Sequence, residues 1–444
     1  MHSTRQIRTF DATMLVVGSM IGSGIFIVSA DTAQLTGSAA GLLAAWSMAG
    51  LLTMLAATHV AELAVLLPQA GGPFVYFREA YGPGAAFLFA WTTFLVVQSG
   101  TIAAVAAAFA KFLGLFVAGL AAPWDRVVAL GVIALLTLAN ASGLRTGTSI
   151  QNLLTVLKYA ALLLLTLGGL LWRGVIAAPA SLPNATGGAP LSTVVEFSLL
   201  AFAAAMVGPL FSQSAWFNVT FPSAEVERPA HVFPRALLGG CALVAVLYVV
   251  TNIGYLKLLG LQGIASAPGQ RVGSAAAEVL LPGVGGSLMA AAILVSTFGC
   301  VNGLVLSGAR VVYAAAQARM FFPTFGRLNA AQVPGAALAV QAVWCSVLVL
   351  SGSYSQLLRY VISVELLIVI LMVAAVAVLR HRLPHAARPY RAWGYPWTSV
   401  SFIALSGGVM VLLAIARPET AWPGYLIVLA GVPAYLWLRR RIAT

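Results

Sequence analysis

The sequence predicts an all-α integral membrane protein with twelve transmembrane helices. Hydrophobic residues make up 61% of the 444-residue chain and charged residues only 8%, whereas soluble domains carry about 25% charged residues. A charge near the centre of a bilayer costs roughly 2.5–3.5 kcal/mol on insertion scales, which explains why charges are scarce here. The apolar residues also fall into runs of about 20 residues, the length that crosses a bilayer as a helix.

Twelve apolar runs lie between breaks made by glycine, proline and charged residues. The first run lacks a small-residue cleavage site and continues past Val28, so it predicts an uncleaved membrane helix rather than a signal peptide. The predicted spans cover residues 10–30, 39–67, 85–118, 125–143, 151–173, 191–219, 235–261, 286–316, 335–351, 354–380, 397–416 and 421–439.

The distribution of lysine and arginine predicts that both termini face the cytoplasm, because these residues concentrate on the cytoplasmic side of membrane proteins. With a cytoplasmic N-terminus, sixteen of the 24 fall inside, seven fall outside, and Lys158 lies within a span. An even number of spans returns the C-terminus to the same side. We therefore expect a multi-pass protein of the inner (plasma) membrane. Its net charge of +13 is assigned to the basic loops, and no nucleic-acid partner is expected.

The chain carries no sequence signature of an enzyme, a metal site or a cofactor site. It has no H-E-x-x-H, no phosphate-binding loop, no Ser-His-Asp constellation and no Cys/His metal spacing. The longest outside segments, 174–190 and 262–285, are rich in small residues and proline. Cys241, Cys300 and Cys345 lie in apolar runs, so we expect free thiols in helix packing and no cofactor.

The first span is interrupted at membrane depth by Gly22, Ser23 and Gly24, within the stretch "SMIGSGIFIV" at 19–28. Backbone groups freed by such a break are tolerated only where they line a cavity or meet a ligand. The N–H groups that begin the outer half-helix favour a carboxylate, and the carbonyls that end the inner half favour an ammonium group. Gly18 and Gly22 also form a GxxxG pattern, so helix packing is an alternative explanation.

The sixth span is interrupted as well. It contains "MVGPLFSQSAWFN" at 206–218, where Gly208 and Pro209 disfavour a continuous helix. Interrupted helices at corresponding positions of two halves are the best sequence indication of a transporter's substrate site. The predicted organisation is a cytoplasmic tail at 1–9, a first inverted repeat at 10–173, an extracellular loop at 174–190, a second repeat at 191–380, and two appended spans at 397–439.

Five segments resemble motifs of the amino acid–polyamine–organocation (APC) superfamily, in the family's order along the chain. The last of them resembles the entry to the eleventh helix in the L-type amino acid transporter branch. The resemblance implies a LeuT-like fold of five plus five inverted helices around a central substrate site, with transport by alternating access. The five segments are residues 18–26, 61–83, 210–229, 306–329 and 388–397.

The resemblance also implies the substrate-binding residues. In the family, the amides of the first-helix break hold the substrate carboxylate, and here these are Gly22, Ser23 and Gly24. Carbonyls before that break and in the sixth-helix break hold the amino group, and the matching residues are Met20, Phe211 and Ser214. An aromatic residue at the sixth-helix break acts as a gate in the family, and Phe211 matches it.

Lys158 in the fifth span has two interpretations. Its ammonium group could extend along the helix to the cytoplasmic interface. The resemblance implies instead a lysine that substitutes for a sodium ion and bridges helices one and eight, which makes transport sodium-independent. A buried lysine can also lose its proton. Lys158 is therefore compatible both with exchange of amino acids and with proton symport.

Two carboxylates lie inside predicted spans. Glu62 is near the inner end of span two, and we expect it to pair with an inside arginine. Glu365 is near the middle of span ten, where a carboxylate is by default a candidate for function. A structural pair with a neighbouring helix explains Glu365 equally well, so its assignment as an ion or coupling residue stays open.

The expected substrates are small-to-medium neutral L-amino acids. The L-type branch often has Gly-Gly-Trp in the sixth helix, whereas this chain has Ser214-Ala215-Trp216. The side chains that replace the two glycines are expected to narrow the pocket. Cationic amino acids or polyamines are the alternative substrates. A channel or an intramembrane enzyme is the alternative class, although no pore-lining stripe or catalytic cluster is evident. The expected partners are an amino acid, the bilayer, and an exchanged amino acid or proton, and no partner subunit is implied.

Overall fold

Helices account for nearly all of the described chain. The structure, a computed structural model, describes residues 7–69, 71–117, 120, 123–143, 148–174 and 198–443. The predicted loop at 174–190 and the start of the sixth span therefore lie almost entirely outside the described residues. The helices are α1 Thr9–Met20, α2 Gly24–Ile27, α3 Ser29–Thr36, α4 Ala39–Leu66, α5 Pro73–Tyr81, α6 Pro83–Thr92, α7 Ser99–Leu113, α8 Trp124–Ala141, α9 Thr148–Leu171, α10 Leu199–Ser212, α11 Pro229–Ala265, α12 Val272–Leu280, α13 Gly285–Gln317, α14 Gly335–Ser351, α15 Tyr354–Arg382, α16 Trp397–Ala416 and α17 Pro418–Ala443.

Ten helical segments within the described ranges are long and apolar enough to cross a membrane. Two shorter apolar helices, Lys158–Leu171 and Gly335–Ser351, lie at the positions of the fifth and ninth predicted spans. Three of the ten spans consist of more than one helical element. These are the first, third and sixth spans, and each has a break or a change of helix type within it. The prediction of an all-helical multi-pass membrane protein is confirmed.

Two helices, α3 and α12, extend beyond the predicted spans. The first span continues through α3 to Thr36 and ends at Gly37, whose φ of 60° is the left-handed conformation that commonly terminates helices. The segment 262–285 is not simply a loop, because it contains α12. The small side chains of α12, including Ala275 and Ala276, are buried, and the helix packs against α11 and α13.

The third span contains a π-helical turn, Thr93–Gln98, between α6 and α7. Such turns insert an extra residue into a helix and displace the register of the side chains that follow. The side chain of Gln98, the last residue of the turn, donates to the hydroxyl group of Ser307 on α13 at 3.2 Å. The turn therefore directs a polar side chain towards a neighbouring helix inside the bundle.

Glu62 anchors one end of the helical bundle. Its side chain is 1% exposed, and its two oxygens accept hydrogen bonds from Arg380 of α15 at 2.9 and 2.6 Å. It also accepts the backbone N–H of Ala392 at 2.6 Å and lies 3.6 Å from Arg388. The predicted pairing of Glu62 with an arginine is confirmed. The pair joins α4 to α15 and to the segment that precedes α16.

Asp31 anchors the opposite end of the bundle. Its carboxylate accepts hydrogen bonds from Gln270 and from Ser355, which is near the start of α15. Lys111, at the end of α7, donates to the Gln270 side chain at 2.6 Å, and Arg271 donates to the Lys111 carbonyl at 2.9 Å. This network joins α3, α7 and α15 through the connection between α11 and α12.

We expect Glu62→Ala to destabilise the protein strongly. The change leaves the largely buried guanidinium group of Arg388 without its carboxylate, and breaking a buried pair costs about 3–5 kcal/mol. Thermal unfolding of the detergent-purified protein, followed by tryptophan fluorescence, measures the loss. Glu79→Ala is the control, because Glu79 pairs with Arg78 at the surface, where such a pair contributes about 0–1 kcal/mol. Equal unfolding midpoints for the two variants would contradict the anchoring role of Glu62.

Candidate functional site

The first break leaves backbone donors without acceptors. The α1 helix ends at Met20, and Ile21 is extended, with φ −76° and ψ 93°. Within the described residues, the N–H groups of Ser23 and Gly24 donate to no backbone carbonyl. The Ser23 hydroxyl group is buried beside the Tyr354 hydroxyl group, and neither forms a hydrogen bond of regular geometry within the described chain. A Cβ added to Gly22 would meet no other atom within 4 Å, so there is open space beside Gly22, the residue that precedes these donors.

The second break follows Ser212, the last residue of α10. The chain is non-helical at residues 213–215 and resumes as a 3₁₀-helix at Trp216–Thr220. Ala215 adopts φ 65°, a left-handed conformation that is costly for a residue with a Cβ. The Ser214 N–H group donates to the Phe211 carbonyl at 3.1 Å, and the Phe211 side chain is buried.

The two breaks are in direct contact. A Cβ added to Gly24 would overlap the hydroxyl group of Ser212, and one added to Gly208 would lie 2.6 Å from the Cβ of Val28. Glycine at both positions therefore permits the close approach of the first and sixth spans. The structure thus brings together the two interrupted segments that the sequence identified separately.

The Lys158 side chain reaches the end of α1. Its ammonium group donates to the carbonyls of Ile21 at 2.7 Å and Gly18 at 3.3 Å, and it lies near Cys300 of α13. A positive charge is favourable at this position because the carbonyl end of a helix carries a partial negative charge. The side chain thus spans α9, α1 and α13 rather than extending along α9 towards the interface.

Three residues of α11 that the sequence analysis did not identify also hold the first span. The Tyr248 hydroxyl group donates to the Met20 carbonyl at 2.9 Å. Asn252 accepts the hydroxyl group of Ser29, and Tyr255 donates to a carbonyl in α2. The spacing of i, i+4 and i+7 places all three on one face of the helix. In the sequence, these three polar residues on one face of an apolar span indicate that this face contacts a polar group of another helix.

Glu365 lies beside the second break. Its side chain is 6% exposed, and the backbone N–H of Ala215 faces its carboxyl group. It lines a small cavity together with Gln213, Ser214 and Thr53. No Lys, Arg or His of the described residues forms an ion pair with it. Of the two interpretations left open for Glu365, an ion pair with a neighbouring helix finds no support in this part of the chain.

The geometry of two broken helices in contact matches the expectation for an APC transporter, and sequence comparison decides the family. A family model described as amino acid permease matches residues 7–433. The chain belongs to this family. The family and the similar proteins are transporters, so the alternative of an enzyme is excluded. The chain is an amino acid transporter of the APC superfamily.

Curated relatives match this transporter over almost its whole length. It is 28% identical to the serine/threonine exchanger SteT of Bacillus subtilis over 449 residues, which cover 99% of this chain and 98% of that protein. It is 26% identical to the human cystine/glutamate transporter, with 97% of this chain and 84% of that protein covered. The mouse Asc-type amino acid transporter 1 is 27% identical, with 97% and 80% covered.

We expect Gly24→Ala to separate the two breaks. The added Cβ overlaps Ser212, so the variant should unfold at a lower temperature than the parent and lose substrate binding. Gly22→Ala is the control for folding, because its Cβ meets no atom within 4 Å. Adding Ser212→Gly to Gly24→Ala should restore the unfolding midpoint at least in part. A Gly24→Ala variant as stable as Gly22→Ala would contradict the contact between the breaks.

Proposed function

We propose that this transporter exchanges small neutral L-amino acids across the membrane without sodium, by alternating access. The substrate binds where the breaks of the first and sixth spans meet. One observation carries the proposal: unpaired N–H donors follow Gly22, which has open space beside it, while a lysine ammonium group occupies the carbonyl end of α1. This arrangement presents positive partial charge to a carboxylate at a depth where water is scarce.

In the proposed complex, Gly22, Ser23 and Gly24 hold the substrate carboxylate through backbone N–H groups and the Ser23 hydroxyl group. The outer half-helix adds the positive end of its dipole, because α2 and α3 continue one another through Val28, whose dihedral angles are helical. The hydroxyl groups of Ser23 and Tyr354 are buried next to one another without a hydrogen bond of regular geometry in the described chain, so a ligand oxygen would satisfy Ser23.

The substrate's amino group binds the carbonyls of Met20, Phe211 and Ser214. The Met20 carbonyl already accepts the Tyr248 hydroxyl group, and the Phe211 carbonyl accepts the Ser214 N–H group. Each carbonyl oxygen has two lone pairs, so both retain one acceptor site for an ammonium group. Phe211 is buried next to the break and acts as the gate over the bound substrate.

Sodium independence follows from the position of Lys158. Its ammonium group occupies carbonyls at the end of α1 and lies near α13, as a bound cation would. A covalently attached cation removes the need for a dissolved one. The assignment of exchange and of small neutral substrates is supported by the side chains of Ser214 and Ala215 and by the full-length similarity to a serine/threonine exchanger.

The proposed topology is twelve spans, arranged as two inverted repeats of five and two appended helices, with both termini in the cytoplasm. Ile7 pairs with Val226, the residue beyond the sixth span, and Arg8 lies 3.5 Å from Glu227. These contacts support placing the N-terminus and the connection after the sixth span on the same side of the membrane. The excess of basic residues on that side supports its assignment as cytoplasmic.

The deciding experiment is uptake of radiolabelled L-serine into proteoliposomes that contain the purified protein. The liposomes are empty or preloaded with unlabelled serine, and the buffer contains sodium or choline. We expect saturable, stereoselective uptake into preloaded liposomes, unchanged without sodium and competed by alanine but not by arginine or putrescine. Non-saturable uptake would indicate a channel, and a requirement for sodium or competition by cationic compounds would overturn the assignment.

We expect Lys158→Ala to abolish exchange in a protein that still folds, because the carbonyls of α1 lose the cation that holds them. Lys257→Ala is the matched control: Lys257 also donates to a helix carbonyl, that of Leu170, but away from the two breaks. Size-exclusion chromatography verifies folding of both variants before uptake is measured. Full exchange by Lys158→Ala would remove this lysine from the mechanism.

We expect Ala215→Gly to widen the range of substrates. Glycine adopts the left-handed conformation of this position freely, so the backbone is retained while the Cβ that narrows the pocket is removed. Competition of labelled serine uptake by phenylalanine measures the effect, and the concentration of phenylalanine that halves uptake should fall several-fold. An unchanged ratio between phenylalanine and alanine competition would show that Ala215 does not limit substrate size.

A further inference from the structure

A cavity lies behind the sixth-span break, between α4, α10, α15 and α16. Its wall is mostly aliphatic, and its polar side chains are Glu365, Gln213, Ser214 and Thr53. Glu365 is the only titratable side chain among the described lining residues. It lies eleven residues into α15, about 17 Å along the helix at 1.5 Å per residue. The cavity therefore holds a carboxyl group deep within a membrane-spanning segment.

The cavity has hydrogen-bond acceptors that lack donors. Gln213 is fully buried, and its Nε2 atom donates to the Trp46 carbonyl at 3.3 Å. Its Oε1 atom has no donor within the described part of the chain. An ionised Glu365 has only acceptor oxygens, so it cannot supply the donor that Gln213 lacks. The backbone N–H group of Ala215 faces the Glu365 carboxyl group, and one N–H group occupies only one of the acceptor sites of a carboxylate.

No positive side chain in the described residues compensates this carboxylate. On α4, His59 contacts Ser399, and Glu62 binds Arg380. The described residues of α10 and of α16, from Trp397 to Ala416, include no charged side chain.

None of the described charged residues on the other helices packed against α15 lines the cavity, and those of α17 (Glu419 and Arg439 to Arg441) lie near the two ends of that helix. Arg78 of α5 pairs with Glu79, and Lys111 of α7 donates to Gln270 at the end of the bundle. Arg359 lies six residues before Glu365 on α15 and lines a different cavity, beside Asp31. Buried charge without a partner is costly, and neutralisation by a proton is the usual outcome.

We propose that this cavity is a proton-binding site whose acceptor is the Glu365 carboxyl group. A proton from water forms the O–H bond on one carboxyl oxygen, and that O–H donates to Gln213 Oε1, directly or through a water molecule in the cavity. The other oxygen continues to accept the N–H group of Ala215. Protonation thus satisfies the buried amide oxygen and removes the uncompensated charge in one step.

Proton binding at Glu365 acts on the transport machinery through Ala215. A hydrogen bond to an ionised carboxylate is roughly twice as strong as one to a neutral acceptor. Loss of the proton therefore strengthens the attachment of the sixth-span break to α15, and binding of the proton weakens it. This inference rests on the proposed exchange function, because exchange requires the sixth-span break to rearrange. We therefore expect faster exchange at acid pH and slower exchange as the pH rises.

Infrared spectroscopy tests proton binding without any transport measurement. The purified protein is titrated from acid to alkaline pH, and the carbonyl stretching band of a protonated carboxylic acid is followed. We expect a titrating band that is absent in Glu365→Gln and present in Glu419→Gln, a control at an exposed position. Gln213→Leu should lower the pH at which the band is half lost, because the acid form loses its acceptor. An unaltered spectrum in Glu365→Gln, or loss of the band on adding sodium at constant pH, would overturn the proposal.

Exchange in proteoliposomes at equal pH on both sides tests the consequence. We expect the parent's rate to fall as pH rises above the midpoint and to level off at the slower rate of the deprotonated form, because the protonated fraction of a single site falls about tenfold per pH unit. Glu365→Gln, which is neutral at every pH, should exchange at a rate independent of pH. The parent's pH dependence persisting in this variant would refute the coupling. Absence of exchange in all proteins alongside a titrating infrared band would refute the transport function and leave the proton site standing.

Discussion

A backbone N–H or carbonyl group in the hydrocarbon region has no water to bind, so every interruption of a membrane helix must be satisfied by another part of the protein or by a ligand. This constraint accounts for the arrangement at the centre of the molecule. At the end of α1, Lys158 and Tyr248 supply donors to the freed carbonyls. At the second break, Glu365 supplies an acceptor to the freed N–H of Ala215. The donors at Ser23 and Gly24 are the groups that the described chain leaves open.

The two ends of the bundle are constrained quite differently from its centre. Glu62 and Asp31 each join several elements through charged hydrogen bonds, whereas the two breaks meet through glycine and serine with little side-chain interlocking. α15 takes part in all three regions, since it contributes Arg380, Ser355 and Glu365. A change in how α15 holds the sixth-span break is therefore mechanically connected to the networks at both ends. This connection is what allows one protonation event to influence a movement of whole helices.

The sequence predicted a multi-pass helical membrane protein and both breaks because these depend on local properties: apolar run length, and glycine or proline at membrane depth. It also predicted that Glu62 pairs with an arginine, since an inner-end carboxylate lies among basic loops. The identity of Arg380 as the partner could not be predicted, because that pairing depends on how α4 and α15 pack, and the two residues are 318 positions apart in the sequence. The π-helical turn at Thr93–Gln98 was missed for a related reason: its mostly apolar residues, TFLVVQ, resemble those of an uninterrupted membrane helix and give no sign of the extra residue.

Glu365 illustrates where sequence reasoning stops and what the structure adds. From the sequence, a mid-span carboxylate is equally consistent with an ion pair and with a functional group. Three spatial facts distinguish these interpretations. The Ala215 N–H group faces the carboxyl group, and no cation of the described chain is paired with it. The Oε1 atom of Gln213, which lines the same cavity, lacks a donor among the described residues. Lys158, by contrast, already satisfies the carbonyls it contacts and has no deficit that a change of protonation would correct. The two ionisable groups therefore have different roles: Lys158 is a fixed cation at the first break, and Glu365 binds and releases a proton at the second.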